Sequence, residues 1–203
     1  YKKTSHNEGM APYFRAYIQS ELLAWCREHE KEDGTPYNLF TDGLKIYTTI
    51  DSRLQGYAEE AMKLQMTQLQ EKFTRHADKR KLQEVAQTKL TRLLHYQQLR
   101  KEGLTEQEIM SELKKPALRK IFTWKGEKEV EISTIDSVLH HLQFLQAGFL
   151  AMNPESGDVK AWVGGINHQF FQYDHVREST KRQVGSTFKP VVYAAAIEQG
   201  ISP

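Results

Sequence analysis

Arg182-Gln183-Val184-Gly185-Ser186-Thr187-Phe188-Lys189-Pro190 is the stretch on which the reading of this chain turns. Ser186 and Lys189 stand three positions apart. The apolar residues Val191, Val192, Ala195 and Ala196 that follow predict a helix from Ser186 to Gln199. Residues i and i+3 share a helix face, so the Lys189 amine can reach the Ser186 hydroxyl. A partly desolvated amine can accept that proton and leave an alkoxide-like nucleophile. Gly185 allows close approach of backbone or substrate, and the free N–H groups of a helix start oppose developing negative charge. The plain alternative is an N-cap serine beside a solvated lysine. The bare S-x-x-K spacing, made of two common residue types, does not separate the two.

Upstream of this string, residues 165–185 are polar and irregular. Before them, Gly148 to Met152 and Val159 to Gly164 are two apolar runs around Asn153-Pro154-Glu155-Ser156-Gly157-Asp158, which predicts a β-hairpin with a turn-rich loop. Ser133 or Thr134 with Asp136 starts a helix whose stripe is Ile135, Val138, Leu139, Leu142 and Leu145. Ile121 to Trp124 reads as a strand leading into a turn at Lys125-Gly126. Thr105-Glu106-Gln107-Glu108 is a capping-box pattern opening a short helix with Ile109 and Leu113, ended by Pro116.

Residues 71–101 contain no Gly or Pro and predict one long helix, with Leu82, Val85, Ala86, Leu90, Leu93, Leu94 and Gln97 on one face and Gly103 at its end. A helix capped by Asp51 or Ser52 carries Leu54, Ala58, Ala61, Met62 and Leu69. Gly43 to Ile50 alternates β-branched and aromatic residues and predicts a strand. The chain opens with an amphipathic helix over 12–31, with Pro12 in its first turn and Tyr13, Tyr17, Ile18, Leu22, Trp25 and Cys26 at helical spacing. Asp33-Gly34-Thr35-Pro36 marks a turn.

With 203 residues, 39% hydrophobic and 27% charged, the composition is that of a soluble protein with a modest core. The net charge of +2 points to no polyanionic partner. No run reaches the roughly 20 apolar residues of a membrane span. The first residue is not Met and the last helix runs almost to Pro203, so the chain reads as an internal piece of a longer protein. The single cysteine, Cys26, sits on an apolar stripe and is read as a packing residue. His76, His95, His140, His141, His168 and His175 show no metal-ligand spacing, so neither metal nor cofactor is expected. The basic run 71–101 (Lys72, Arg75, Lys79, Arg80, Lys81, Lys89, Arg92, Arg100 and Lys101) is read as a solvated face; it lacks the interleaved exposed aromatics and the motifs of a nucleic-acid surface.

The longer string from Arg182 to Pro190 resembles the nucleophile segment of class A, 1A-type penicillin-binding proteins, among which S-x-x-K is a signature. Gly164-Gly165 after the Val159 strand resembles the entry strand of their transpeptidase domain, and Ala151 to Gly157 its first hairpin. Tyr47-Thr48-Thr49-Ile50-Asp51-Ser52-Arg53-Leu54-Gln55, and Tyr13-Phe14 with the helix that follows, are similar to the segment after their glycosyltransferase domain. Roughly 65–135 looks like the helical insertion of some members.

The resemblance implies an α+β fold, mostly helical at first, then the hairpin and nucleophile helix of a transpeptidase domain. It implies a linker over 1–50, a helical linker or insertion over 51–146, and the start of the transpeptidase domain over 147–203. It assigns the nucleophile to Ser186 and the general base to Lys189, with Gly185 and Thr187 beside the substrate. Two further motifs, S-x-N and K-T-G, are expected beyond Pro203.

Implied partners are peptidoglycan stem peptides, the lipid-linked precursor, β-lactam antibiotics and proteins of cell-wall synthesis. The implied location is the periplasmic side of the inner membrane, through an anchor outside these residues. A serine β-lactamase-like hydrolase shares S-x-x-K, but a long helical region ahead of the hairpin does not suit it. A purely protein-docking role for the helices is the non-enzymatic alternative.

Overall fold

The computed structural model describes residues 9–76 and 79–201. The fold is α+β, as expected: seven α-helices among the described residues, two separate two-stranded antiparallel sheets and one 3-10 turn. In chain order the elements are α1 (Pro12–Glu28), α2 (Ser52–His76), α3 (Lys79–Leu90), α4 (Leu94–Lys101), α5 (Glu106–Lys114), β1 (Pro116–Thr123), β2 (Gly126–Ser133), α6 (Thr134–Leu142), β3 (Phe149–Met152), β4 (Val159–Val163) and α7 (Lys189–Glu198). The 3-10 turn, Gly185–Phe188, leads directly into α7.

Several starts and stops follow local chemistry. Pro12 opens α1, where a missing N–H costs nothing. Asp51 Oδ1 accepts from the Arg53 and Leu54 N–H groups at 2.9 and 3.1 Å and so caps α2. Thr105 and Glu108 form the full capping box of α5. Ser133 Oγ accepts from Asp136 N at 3.0 Å and caps α6. In the β1–β2 hairpin Thr123 faces Gly126 across the turn, and Gly126 has φ of +120°, which only glycine adopts readily. The sequence reading had the end of β1 and its turn but not β2.

Four expectations are corrected. The run from Gly43 to Ile50 is not a strand. Beside β4, Thr49 Oγ1 donates to Val159 O at 2.8 Å, and Asp51 N, just past the run, donates to Lys160 O at 3.0 Å. The next stretch of that edge is taken by a side chain, because Gln55 Nε2 donates to Trp162 O at 3.0 Å and Gln55 Oε1 accepts from Trp162 N at 2.7 Å.

Second, residues 71–101 are not one helix. The chain leaves helical geometry at Leu93, with φ −64° and ψ +137°, so that α3 and α4 are separate. The break allows Leu90 and Tyr96 to enter the same core as Ile109 and Leu113, with Leu93, Leu99, Met110, Ile135 and Val138 around them. A straight helix could not turn both residues inward. Of the face expected for this helix, Ala86 and Leu90 are buried, whereas Val85 and Leu94 are exposed.

Third, the apolar stripe expected for α2 is not its buried face. Leu54 and Leu69 are exposed, and the buried positions are Gln55, Met66 and Gln70. Gln70 repeats what Gln55 does about four turns earlier: its Nε2 donates to Gln143 O at 2.8 Å and its Oε1 accepts from Leu145 N at 2.9 Å. Helix α2 therefore grips two passing backbone segments through glutamine amides. Replacing Gln55 with alanine leaves the buried N–H and C=O of Trp162 unsatisfied. Each such group costs about 1–3 kcal/mol, so Gln55→Ala should destabilise the chain by about 2–4 kcal/mol, read from a urea melt; a loss below about 1 kcal/mol would contradict the clamp.

Fourth, Ser186 does not begin an α-helix: it lies in the 3-10 turn, and α7 begins at Lys189.

A second, aromatic core joins the two halves of the chain. Phe122 packs edge-on against Phe144 at 4.9 Å and Phe171 at 5.5 Å. Tyr17 of α1 stacks on Trp162 of β4 at 4.9 Å. Cys26 is buried, as its stripe implied. Among the described residues no helix is long and apolar enough to cross a membrane.

Candidate active site

The hairpin β3–β4 forms as expected, pairing Phe149 with Val163 and Ala151 with Ala161. From β4 the chain passes through buried Gly164 and Gly165, crosses an irregular loop, and reaches Gly185. Gly185 has φ of +52°, a left-handed conformation that suits glycine and turns the backbone into the 3-10 turn. Ser186 follows, then Thr187, whose hydroxyl donates to the Val184 carbonyl and is thereby held within the turn. The Lys189 N–H donates to the Ser186 carbonyl and closes the turn.

The structure thus places Gly185, Ser186, Thr187 and Lys189 in one continuous turn. In a 3-10 turn, side chains at i and i+3 eclipse one another, a closer juxtaposition than an α-helix gives. The side chains of Ser186 and Lys189 are both exposed, and among the described residues no hydrogen bond joins them. Around them Val184, Phe188, Val191, Val192, Tyr193 and Ile197 are exposed as well. The apolar surface of α7 therefore has no cover among the described residues, whereas Trp162 of β4 is buried beneath Tyr17.

Among the cavities upstream of the serine are two that adjoin the loop leading to it. One, about 320 Å³, sits between α1, α2, the β1–β2 turn and the residues after β4; Tyr13, Glu59, Trp124 and His168 line it. The other, about 610 Å³, lies against α6 and is lined by His141, Phe144, Phe170 and Arg182. Neither is lined by Ser186 or Lys189. No group of three metal-ligating side chains occurs among the described residues.

The residues that fasten the loop ahead of Ser186 were missed by the sequence reading. Asp174 accepts from Trp162 Nε1 at 2.9 Å, and Tyr13 Oη donates to the Phe171 carbonyl at 2.6 Å. Burial pushes the Tyr13 phenol well above its ordinary range. Tyr13 stood out only as one position of a helical stripe and as part of the linker-like segment Tyr13-Phe14, with no partner in the loop. Asp174 lay in a polar run with no periodicity to mark it.

Burial also pushes His141, His168 and His175 below the ordinary histidine value of 6.5. Arg15 beside His168 and Arg182 beside His175 act in the same direction. The folded chain therefore binds fewer protons than the unfolded chain just below pH 6.5, and its stability falls as the pH drops through that window. Melting temperatures should be level between pH 7 and 8 and decline below about pH 6.5. His141→Phe should flatten the decline; an unchanged slope would show that His141 does not contribute.

The chain is similar to known proteins over most of its length. The penicillin-binding protein middle domain matches residues 68–145. Penicillin-binding protein 1A of Vibrio cholerae is 25% identical over an alignment covering 92% of this chain and 27% of that protein. Penicillin-binding protein 1A of Rickettsia typhi is 22% identical, covering 100% of this chain and 28% of its own length. Penicillin-binding protein 2D of Bacillus subtilis is 35% identical over 79 residues, which is 39% of this chain and 11% of that protein. The 1A relatives are matched over only about a quarter of their length. No solved structure gives a significant match. The middle-domain match across the helices and the 1A relatives aligned over most or all of the length support reading the chain as a fragment of a class A penicillin-binding protein.

Proposed function

We propose that the parent protein cross-links peptidoglycan as a serine D-Ala-D-Ala transpeptidase, with Ser186 as nucleophile and Lys189 as its proton acceptor. The observation that carries this reading is the turn from Gly185 to Lys189, which sets the serine and the lysine one 3-10 turn apart at the mouth of an apolar helix. In the first step Ser186 Oγ attacks the penultimate D-Ala carbonyl of a stem peptide while Lys189 takes its proton. The C–N bond to the terminal D-Ala breaks, the proton leaves with that amine, and an acyl-enzyme remains. An amine from a neighbouring stem then attacks the ester, forms the cross-link and returns the hydroxyl to Ser186. A β-lactam acylates the same oxygen by ring opening.

The parent also polymerises glycan strands from the lipid-linked precursor, and works on the periplasmic side of the inner membrane through an anchor outside these residues. Within the chain, 1–50 is the linker following the glycosyltransferase domain, 51–146 the helical insertion and 147–203 the start of the transpeptidase domain. Gly185 and Thr187 flank the bound peptide. A β-lactamase-like hydrolase is disfavoured by the middle-domain match over 68–145.

Labelling the full-length parent with a fluorescent penicillin tests the assignment. Ser186→Ala should reduce labelling to background. Undiminished labelling of that variant would remove Ser186 from the role.

A further inference from the structure

The loop between β4 and Ser186 has no regular secondary structure, but its first part is tied down from several sides. Asp174 is at the centre of the ties. Its Oδ2 accepts from the indole N–H of Trp162 at 2.9 Å. Its Oδ1 accepts from the backbone N–H groups of Val176 at 2.9 Å and Arg177 at 3.3 Å, an Asx-type turn that reverses the chain. Its own carbonyl accepts from Thr180 Oγ1 at 2.6 Å, and the next residue, His175, donates its N–H to Gly164 O at 2.8 Å. One side chain therefore joins the last strand residues to the turn that starts the run toward Ser186.

The neighbouring glycines are shaped for this contact. A Cβ on Gly164 would lie 2.3 Å from Asp174 Oδ1, and one on Gly165 would lie 2.3 Å from Tyr13 Oη. Both positions admit only glycine, because the acid and the phenol occupy the space a side chain would need. The receiving end is equally fixed. Trp162 is stacked under Tyr17, and both its backbone groups are held by Gln55. The Arg177 guanidinium lies over the Tyr17 ring at 5.5 Å. Beyond Thr180 the ties end, and residues 181–195 are exposed throughout.

We propose that Asp174 is a positioning residue for the nucleophile: by clasping Trp162 to the turn at 176–180 it fixes the point from which the chain extends to Ser186. It touches neither substrate nor Ser186 and acts through the backbone alone. The proposal rests on the transpeptidase reading above. A loop released at Asp174 lets Ser186 wander by an ångström or more, and displacement of that size costs roughly 100-fold in rate.

The test combines two measurements. In the full-length parent, Asp174→Ala should lower the acylation rate constant for a fluorescent penicillin roughly 100-fold, with the dissociation constant of the non-covalent complex unchanged. Asp174→Asn should recover only part of the rate, since its carbonyl oxygen can still accept from the 176 and 177 N–H groups while its NH2, a donor, cannot accept from the Trp162 indole N–H. In the 203-residue chain, hydrogen exchange at Val176 and Arg177 should speed up at least about tenfold in Asp174→Ala.

If the alanine variant does not fold, the asparagine variant carries the test through a smaller loss of the same rate constant. Wild-type acylation rates in both variants, beside Ser186-dependent labelling of the unmodified parent, would overturn the positioning role and leave the transpeptidase reading standing. An unmodified parent that is not acylated at all would overturn both, and the exchange data would then report the clasp as a purely structural device.

Discussion

The 203-residue chain by itself stays unlabelled at penicillin concentrations that saturate the full-length parent. Acyl transfer needs a nucleophile in a dry groove with donors aimed at the developing oxyanion, and each lost donor costs about 100- to 1000-fold. Here Ser186 and Lys189 stand in solvent, and α7 is exposed at Val191, Val192, Tyr193 and Ile197. A helix that is apolar on all sides belongs in the interior of a larger domain; here it is bare, so the turn has no wall to exclude water or orient a carbonyl. Gel fluorescence of the chain and the parent side by side reads the difference directly. Stoichiometric acylation of the chain alone would show that a second copy completes the site. Hydrogen exchange should reveal the same division: fast amides over 183–201, and slow ones in β4, where Gln55 and β3 satisfy the backbone.

Lys189→Ala in the full-length parent lowers the acylation rate by roughly 100-fold or more, the scale of a lost general base. The 3-10 turn strengthens the expectation, since it eclipses the side chains of Ser186 and Lys189 where an α-helix would only place them on one face. Both side chains are exposed, and among the described residues no hydrogen bond joins them. Lys189→Arg should do no better than alanine, because a guanidinium stays protonated and cannot accept the proton. A normal rate in Lys189→Ala would make the lysine structural and pass the base role elsewhere.

Much of this fold was legible where a local rule acts alone. The capping box at Thr105, the Ser133 cap, Pro12 at the start of α1 and the β3–β4 hairpin each follow from a few neighbouring residues. What failed was whatever depends on distant partners. Residues 71–101 contain no helix breaker, so nothing local announces the break at Leu93; the demand of one core for both Leu90 and Tyr96 requires it. The stripe of α2 misled because its buried face is made of two glutamines whose partners lie far along the chain, at Trp162 and at Gln143 and Leu145. The strand expected over 43–50 had the right composition but found the β4 edge already occupied. At the candidate site, the serine, the lysine and their turn were readable because they are contiguous. Asp174 was not readable, because its partners are Trp162 and the room that the missing side chain of Gly164 leaves for its carboxylate.

The most direct test of the central claim is to locate the covalent adduct. Full-length parent incubated with a β-lactam and digested should yield one modified peptide by tandem mass spectrometry, with the added mass on Ser186 and a loss of that peptide's signal in Ser186→Ala. An adduct on any other residue, or none under conditions that inhibit cross-linking, would contradict the assignment of Ser186 as the nucleophile.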